Sequence, residues 1–187
     1  MSPAASVEGG ERIRLFCALR LPAETVEALV AWQAEEFGHV AGVRIPSASH
    51  LHLTLAFLGH RPVGEVERIA GALRDAAAAV QPPLLSVHRY RETRSVGMLA
   101  LDDEEGRAQA LAVDLHGRLE RLGVYEPERR KWLPHVTVLR FRTRPQLDPP
   151  LPVLPPFSPS DAALYHSLLR SGGAQYEVIE SVALGGR

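Results

Sequence analysis

The stretch His50-Leu-His-Leu-Thr-Leu-Ala-Phe-Leu-Gly59, HLHLTLAFLG, sets three polar residues at alternate positions of an otherwise apolar run. A strand built from it points His50, His52 and Thr54 to one side and Leu51, Leu53, Leu55 and Phe57 to the other. The leucine face belongs to a core. The other face must find solvent, or a chemical task.

A second stretch repeats the pattern. Leu133-Pro-His-Val-Thr-Val-Leu-Arg-Phe141 carries His135 and Thr137 just as the first carries His52 and Thr54. The echo extends upstream, where a strand centred near Phe16 and a helix precede the first copy. A strand centred near Leu99 and a helix precede the second, and Leu99 follows Phe16 at the interval by which His135 follows His52. A strand–helix–strand unit therefore occurs twice. Two such units related by a pseudo-twofold axis bring both His-x-Thr strands together, side by side or across a cleft. A lone His-x-Thr is ordinarily structural, with threonine chosen because it suits a strand; two matched copies point to chemistry. One neutral imidazole can take a proton from an attacking hydroxyl while an imidazolium protonates the departing oxygen. Threonine hydroxyls can donate to the free oxygens of a tetrahedral anion. That set suits in-line displacement at phosphorus.

The remaining elements read as follows. Ile13 to Leu21 is a strand stopped by Pro22, and Glu24 to Phe37 a helix with Val26, Leu29, Val30, Gln33 and Phe37 on its buried stripe. Pro62 opens a second helix whose stripe is Val66, Ile69, Leu73, Ala77 and Val80. Leu84 to Tyr90 and Ser95 to Leu101 form a strand pair. The acidic run from Asp102 starts a third helix, lined by Leu111, Leu115, Leu119 and Leu122 and ended by Gly123. The segment 143–160 holds seven prolines and is an extended surface connection rather than a helix or central strand. Ala162 to Leu169 and Tyr176 to Leu184 are the closing strands.

At 187 residues the chain is one domain or two lobes sharing a core. Residues 1–11 read as a disordered lead-in without the basic and apolar segments of a secretory signal, and residues 12–187 as one bilobal domain. The net charge of −1 argues against a broad grip on duplex nucleic acid, though not against a local phosphate pocket. Only Lys131 among the 21 basic residues is lysine, so arginine is a weaker phosphate signal here than usual. Cys17 is the sole cysteine, so neither an intrachain disulfide nor a multi-cysteine metal site is available. No apolar run approaches the roughly 18 residues of a membrane span, and a cytoplasmic protein is the expectation.

At its paired motifs the sequence resembles the 2H phosphoesterase superfamily. Within it, the chain is most similar to the bacterial and archaeal RNA 2′,3′-cyclic phosphodiesterases, also called ThpR or LigT-like 2′-5′ RNA ligases. IRLFCALRLP resembles their opening strand, Arg44 through SASHLHLTLAFLG their first motif, and LPHVTVLR their second. ALYHSLLRSGGAQYEVIESVAL, with Tyr165, Ser167, Gly173 and Tyr176, resembles their closing hairpin. The resemblance implies a bilobal α+β fold, two antiparallel sheets with outer helices around a cleft. It also implies metal- and cofactor-independent opening of 2′,3′-cyclic phosphates to 2′-phosphomonoesters. His52 would be the proton donor to O3′, His135 the acceptor from water, and Thr54 and Thr137 the phosphate donors. Implied partners are RNA termini or tRNA halves with a cyclic phosphate and small cyclic nucleotides, with reversible 2′-5′ ligation as an associated activity. A monomer without obligate protein partner or membrane contact is expected.

Other candidates are weaker. His50 and His52 form an H-x-H pair, but zinc needs three or four ligands and neither carboxylates nor cysteines accompany them, so His50 is expected to lie exposed at the strand entrance. Arg140 has the wrong strand parity for the site unless the strand bulges, whereas the family pattern favours a role in phosphate binding. Arg44, Arg130 and Lys131 are candidates for backbone phosphates, and Phe16, Tyr125, Trp132 and Tyr165 for base stacking, with core packing the simpler reading for Phe16 and Trp132. His39, His88, His116 and His166 carry no pattern. Three alternatives remain: a site acting on ADP-ribose 1″,2″-cyclic phosphate, one acting on 2′-5′ oligonucleotides, or a non-catalytic binder of 2′-phosphate nucleotides.

Overall fold

The computed structural model describes residues 11–171 and 173–185. The expected disordered lead-in, apart from Glu11, lies outside them.

Strand β1 spans Arg12–Arg20, helix α1 Ala23–Phe37, and a two-residue strand β2 Val43–Arg44. Then come β3 (His52–Pro62), α2 (Val66–Ala78), β4 (Leu85–Glu92), β5 (Val96–Asp103), α3 (Arg107–Arg121), β6 (His135–Phe141), β7 (Asp161–Arg170) and β8 (Gly173–Ala183). All strand pairings are antiparallel, in the order β4-β5-β6-β3-β1-β7-β8, with β2 on the far end of β6. The fold is α+β. Its two antiparallel arms, β4-β5-β6 and β3-β1-β7-β8, meet at a seam consisting of one residue pair, Leu53 with Val136.

That pair lies on the pseudo-twofold axis. Leu53 and Val136 are themselves separated by the interval of the repeat, so the repeat pairs with its own image. The units β1–α1–β3 and β5–α3–β6 are the two copies, and their central strands share one burial profile. From His52 and from His135, burial runs half-buried, buried, half-buried, buried, buried, exposed, buried.

Several local readings shift. β3 runs through Pro62, and a 3-10 turn at Val63–Glu65 precedes α2. The buried stripe of α1 is Thr25, Leu29, Trp32, Gln33 and Phe37, while Val30 is exposed. The acidic run at Asp102 finishes β5 rather than starting α3. Its carboxylates still serve the helix, because Asp103 Oδ2 accepts from the Gln109 amide at 2.8 Å. α3 ends as expected, with Gly123 at φ +70°. The segment 143–160 contains no helix and only one isolated bridge, Phe157 to Leu85. Glu92 pins it to the sheet by accepting from Arg144 Nε and the amides of Gln146 and Leu147.

One apolar core runs through both arms beneath the helices, and Cys17 lies within it. Burial pushes its thiol up to about 12, which keeps it inert. A smaller cluster of Phe16, Ala18, Ala163 and Tyr165 occupies the opposite face of the sheet.

Candidate active site

The seam places the two motifs. Leu53 faces Val136 across antiparallel strands, and extending that register by one residue puts His52 opposite Thr137 and Thr54 opposite His135. Each histidine thus sits beside the other repeat's threonine, at the roughly 5 Å spacing of cross-strand neighbours. All four side chains line one cavity of about 410 Å³.

His135 is oriented by the main chain two residues upstream. His135 Nδ1 donates to the Leu133 carbonyl at 2.8 Å, which leaves Nε2 free to accept a proton. The main chain of His50, the pseudo-symmetric mate of Leu133, stands beside the His52 ring and favours its charged form. The His52 ring also packs on Phe16 (centroids 5.0 Å) and on the edge of Tyr176 (5.5 Å). Burial first, then the neighbouring His50, Arg140 and His135, lower its pKa from 6.5 to about 4.

This shift has a sign that can be tested. Above pH 6.5 the folded and unfolded chains both hold the ring neutral, so it contributes nothing. Between pH 6.5 and about 4 the unfolded chain takes up a proton that the folded chain refuses, and stability falls. The full shift corresponds to about 3 kcal/mol, trimmed by solvent in the open cavity. Urea unfolding of the wild type is therefore expected to weaken more over this window than that of His52→Gln. Equal pH slopes would refute the shift.

Three arginines, Arg14, Arg44 and Arg140, line the same cavity, and no carboxylate does. Among the described residues none of the three forms an ion pair. Uncompensated positive charge beside hydroxyl donors is the signature of an anion site. Arg44 lies against Gly173, where a Cβ would fall 2.7 Å from Nη2 and where φ is +120°. Only glycine meets both conditions.

Arg140 reaches the cavity despite its parity because β6 bulges. Met98 pairs with Thr137 and Gly97 with Leu139, so Val138 is the extra residue. β3 does the same: Ala18 pairs with Thr54 and Cys17 with Ala56, leaving Leu55 over. The second bulge corrects the expectation for Phe57, which turns onto the histidine side, 48% exposed, with the Arg14 guanidinium 4.8 Å from its ring centroid.

Other expectations divide. His50 sits at the end of a 3-10 turn (Ala48–His50), half-buried rather than exposed. Its ring nitrogens engage Ser47 Oγ and the Ala174 carbonyl, both at 2.6 Å, so neither is available to a metal. Tyr165 is buried beneath Phe16, stacked at 4.8 Å, and does not reach the cavity. Phe16 is 3% exposed and forms the wall against which His52 packs.

Arg130, Lys131 and Tyr125 line a second cavity of about 450 Å³ that shares Thr54, Phe57 and His135 with the first. Trp132 lies in its wall and donates from Nε1 to the Thr54 carbonyl at 3.0 Å. His116, assigned no role from the sequence, stacks on Tyr125 at 4.6 Å. Arg14, Phe57, Ser167 and Tyr176 also line the first cavity. The burial doublets Leu55-Ala56 and Val138-Leu139, which break strict alternation, were the available signal for Phe57.

The fold is two strand–helix–strand units related by a pseudo-twofold axis with paired His-x-Thr strands, and the chain belongs to the 2′-5′ RNA ligase superfamily, whose model matches residues 22–166. It is 30% identical over 174 residues to the RNA 2′,3′-cyclic phosphodiesterase of Escherichia coli K12, covering 91% of this chain and 96% of that protein. The crystal structure of E. coli LigT complexed with 3′-AMP superposes with a TM-score of 0.81 at 28% identity, covering 94% of this chain and all of that one. That of TT0787 from Thermus thermophilus gives 0.78 at 27% identity, covering 93% and 99%. Among the described residues no helix is long and apolar enough to cross a membrane.

Proposed function

We propose that this chain hydrolyses 2′,3′-cyclic phosphates, at RNA 3′ ends or in small nucleotides, to 2′-phosphomonoesters by two-histidine acid–base catalysis. One observation carries the reading: both His-x-Thr pairs and three arginines line a single cavity free of carboxylates. The E. coli relative's name as an RNA 2′,3′-cyclic phosphodiesterase supports it.

His135 Nε2 takes a proton from water as the oxygen bonds to phosphorus. The P–O3′ bond breaks, and His52 gives its proton to O3′. Thr54 and Thr137 donate to the non-bridging oxygens, and Arg140 balances their charge. No metal is used, since imidazoles move both protons and hydroxyls and guanidinium meet the charge. The pKa of His52, lowered chiefly by burial and then by the surrounding cationic groups, fits a donor that is charged only with substrate present, when the phosphodiester anion favours the imidazolium. In kcat/KM, which reports the free enzyme, the His52 limb is expected near pH 4; in kcat it moves upward.

The test is turnover of 2′,3′-cyclic nucleotides with and without EDTA, with the product identified by phosphorus NMR. A 2′-phosphate insensitive to chelator is expected. A 3′-phosphate would invert the acid–base geometry, and binding without turnover would leave only a nucleotide binder.

The second cavity favours a further reaction of the same centre. It opens beyond His135, the side from which the nucleophile comes, and offers the Tyr125 ring with cationic Arg91, Arg130 and Lys131. A 5′-hydroxyl nucleoside held there would replace water and form a 2′-5′ phosphodiester. Cleavage of 2′-5′-linked, but not 3′-5′-linked, dinucleotides tests the reverse direction.

A further inference from the structure

The two bulges beside the site are each closed by a side chain from the opposite repeat. Leu55 and Val138, the extra residues, stand outside the strand pairing, and a buried carbonyl left unpaired destabilises the fold. Gln33 Nε2, on α1 of the first unit, donates to the Val138 carbonyl of the second at 2.8 Å. His116 Nε2, on α3 of the second unit, donates to the Leu55 carbonyl of the first at 2.7 Å. A carbonyl only accepts, so Nε2 of His116 carries the proton. Gln33 and His116 are equivalent positions of the repeat, as are Leu55 and Val138, and Phe57 and Arg140. One device is built twice, with different chemistry: the amide and the imidazole present an N–H at nearly the same reach.

We infer that Gln33 and His116 are positioning residues, each holding the bulge that turns Arg140 or Phe57 onto the catalytic face and fixes the adjoining threonine. Gln33 is 1% exposed, with no other polar task than a longer bond to the Pro46 carbonyl at 3.4 Å. Without the donor the strand gains by restoring regular pairing. Restored alternation would carry Arg140 or Phe57 to the far side and shift Thr137 or Thr54, each of which directly precedes its bulge. Displacements of about 1 Å at such a centre cost on the order of 10²-fold in rate.

The inference rests on the proposed phosphodiesterase reading for its kinetic test but not for its binding test. Each position is given one variant without a donor, Gln33→Met or His116→Phe, and one with the other repeat's donor, Gln33→His or His116→Gln. With wild-type melting temperature as the check on folding, the first pair is expected to lose tenfold or more in kcat toward a small 2′,3′-cyclic nucleotide. The exchanged pair is expected to stay within about threefold of wild type. Binding of inorganic phosphate, read by calorimetry, is expected to weaken several-fold in Gln33→Met, which releases Arg140, and much less in His116→Phe. A role in packing alone predicts that methionine and phenylalanine serve as well as glutamine and histidine, and that result overturns the inference. Should Gln33→Met fail to fold, the His116 pair, closer to the surface, decides: equal kcat in His116→Phe and His116→Gln overturns it. A wild type without turnover refutes the proposed function instead, and the phosphate affinities then decide the positioning role.

Discussion

On the proposed mechanism, replacing His52 or His135 with alanine is expected to lower kcat on 2′,3′-cyclic nucleotides by roughly 10²–10⁴-fold, with a much smaller change in KM. Because that mechanism has the two groups act in one step, the double variant is expected to fall little further than the worse single one. An activated substrate separates their roles. With a nitrophenyl phosphodiester the departing phenolate needs little protonation, so His52→Ala recovers most of its relative loss and His135→Ala does not. Recovery by His135→Ala would exchange the assignments, and full activity in either variant on the cyclic substrate would remove that histidine from the mechanism.

If the threonines donate to the phosphoryl oxygens as proposed, Thr54→Val and Thr137→Val are each expected to lower kcat by roughly 10²–10³-fold, the usual cost of removing one preorganised donor from a developing anion. Valine keeps the branched shape that suits a strand, so the fold is spared, and Thr→Ser restores most of the rate. Register makes the two effects comparable, because each hydroxyl stands opposite the other repeat's imidazole. A loss confined to KM would assign the hydroxyls to ground-state binding only.

Much of this was legible in the sequence. The echo of His52 and Thr54 in His135 and Thr137 revealed two strand–helix–strand units, and the union of those units makes one cavity lined by all four residues. Period-two reasoning failed at Phe57, because Leu55 is an extra residue in β3. It left Arg140 undecided for the same reason at Val138. The paired apolar residues Leu55-Ala56 and Val138-Leu139 mark both bulges, but such doublets also occur in strands buried on both faces. Gln33 was legible as part of a buried helical stripe; its partner was not, because nothing local says that α1 serves the strand of the other unit. Tyr165 shows the opposite limit. Its aromatic chemistry suited a base, and only the position of Phe16 above it reveals that it is a support.

Leu53 and Val136, among the described residues the single strand pairing between the two arms, place the proposed chemistry on the molecule's own rotation axis. A centre so placed cannot be halved. Separation of the arms at this point would take His52 from His135 and each hydroxyl from the imidazole it faces, so on the proposed mechanism neither piece is expected to retain a reduced version of the activity. On that mechanism turnover reports the integrity of the whole molecule, even though every group assigned to it belongs to one strand or its image.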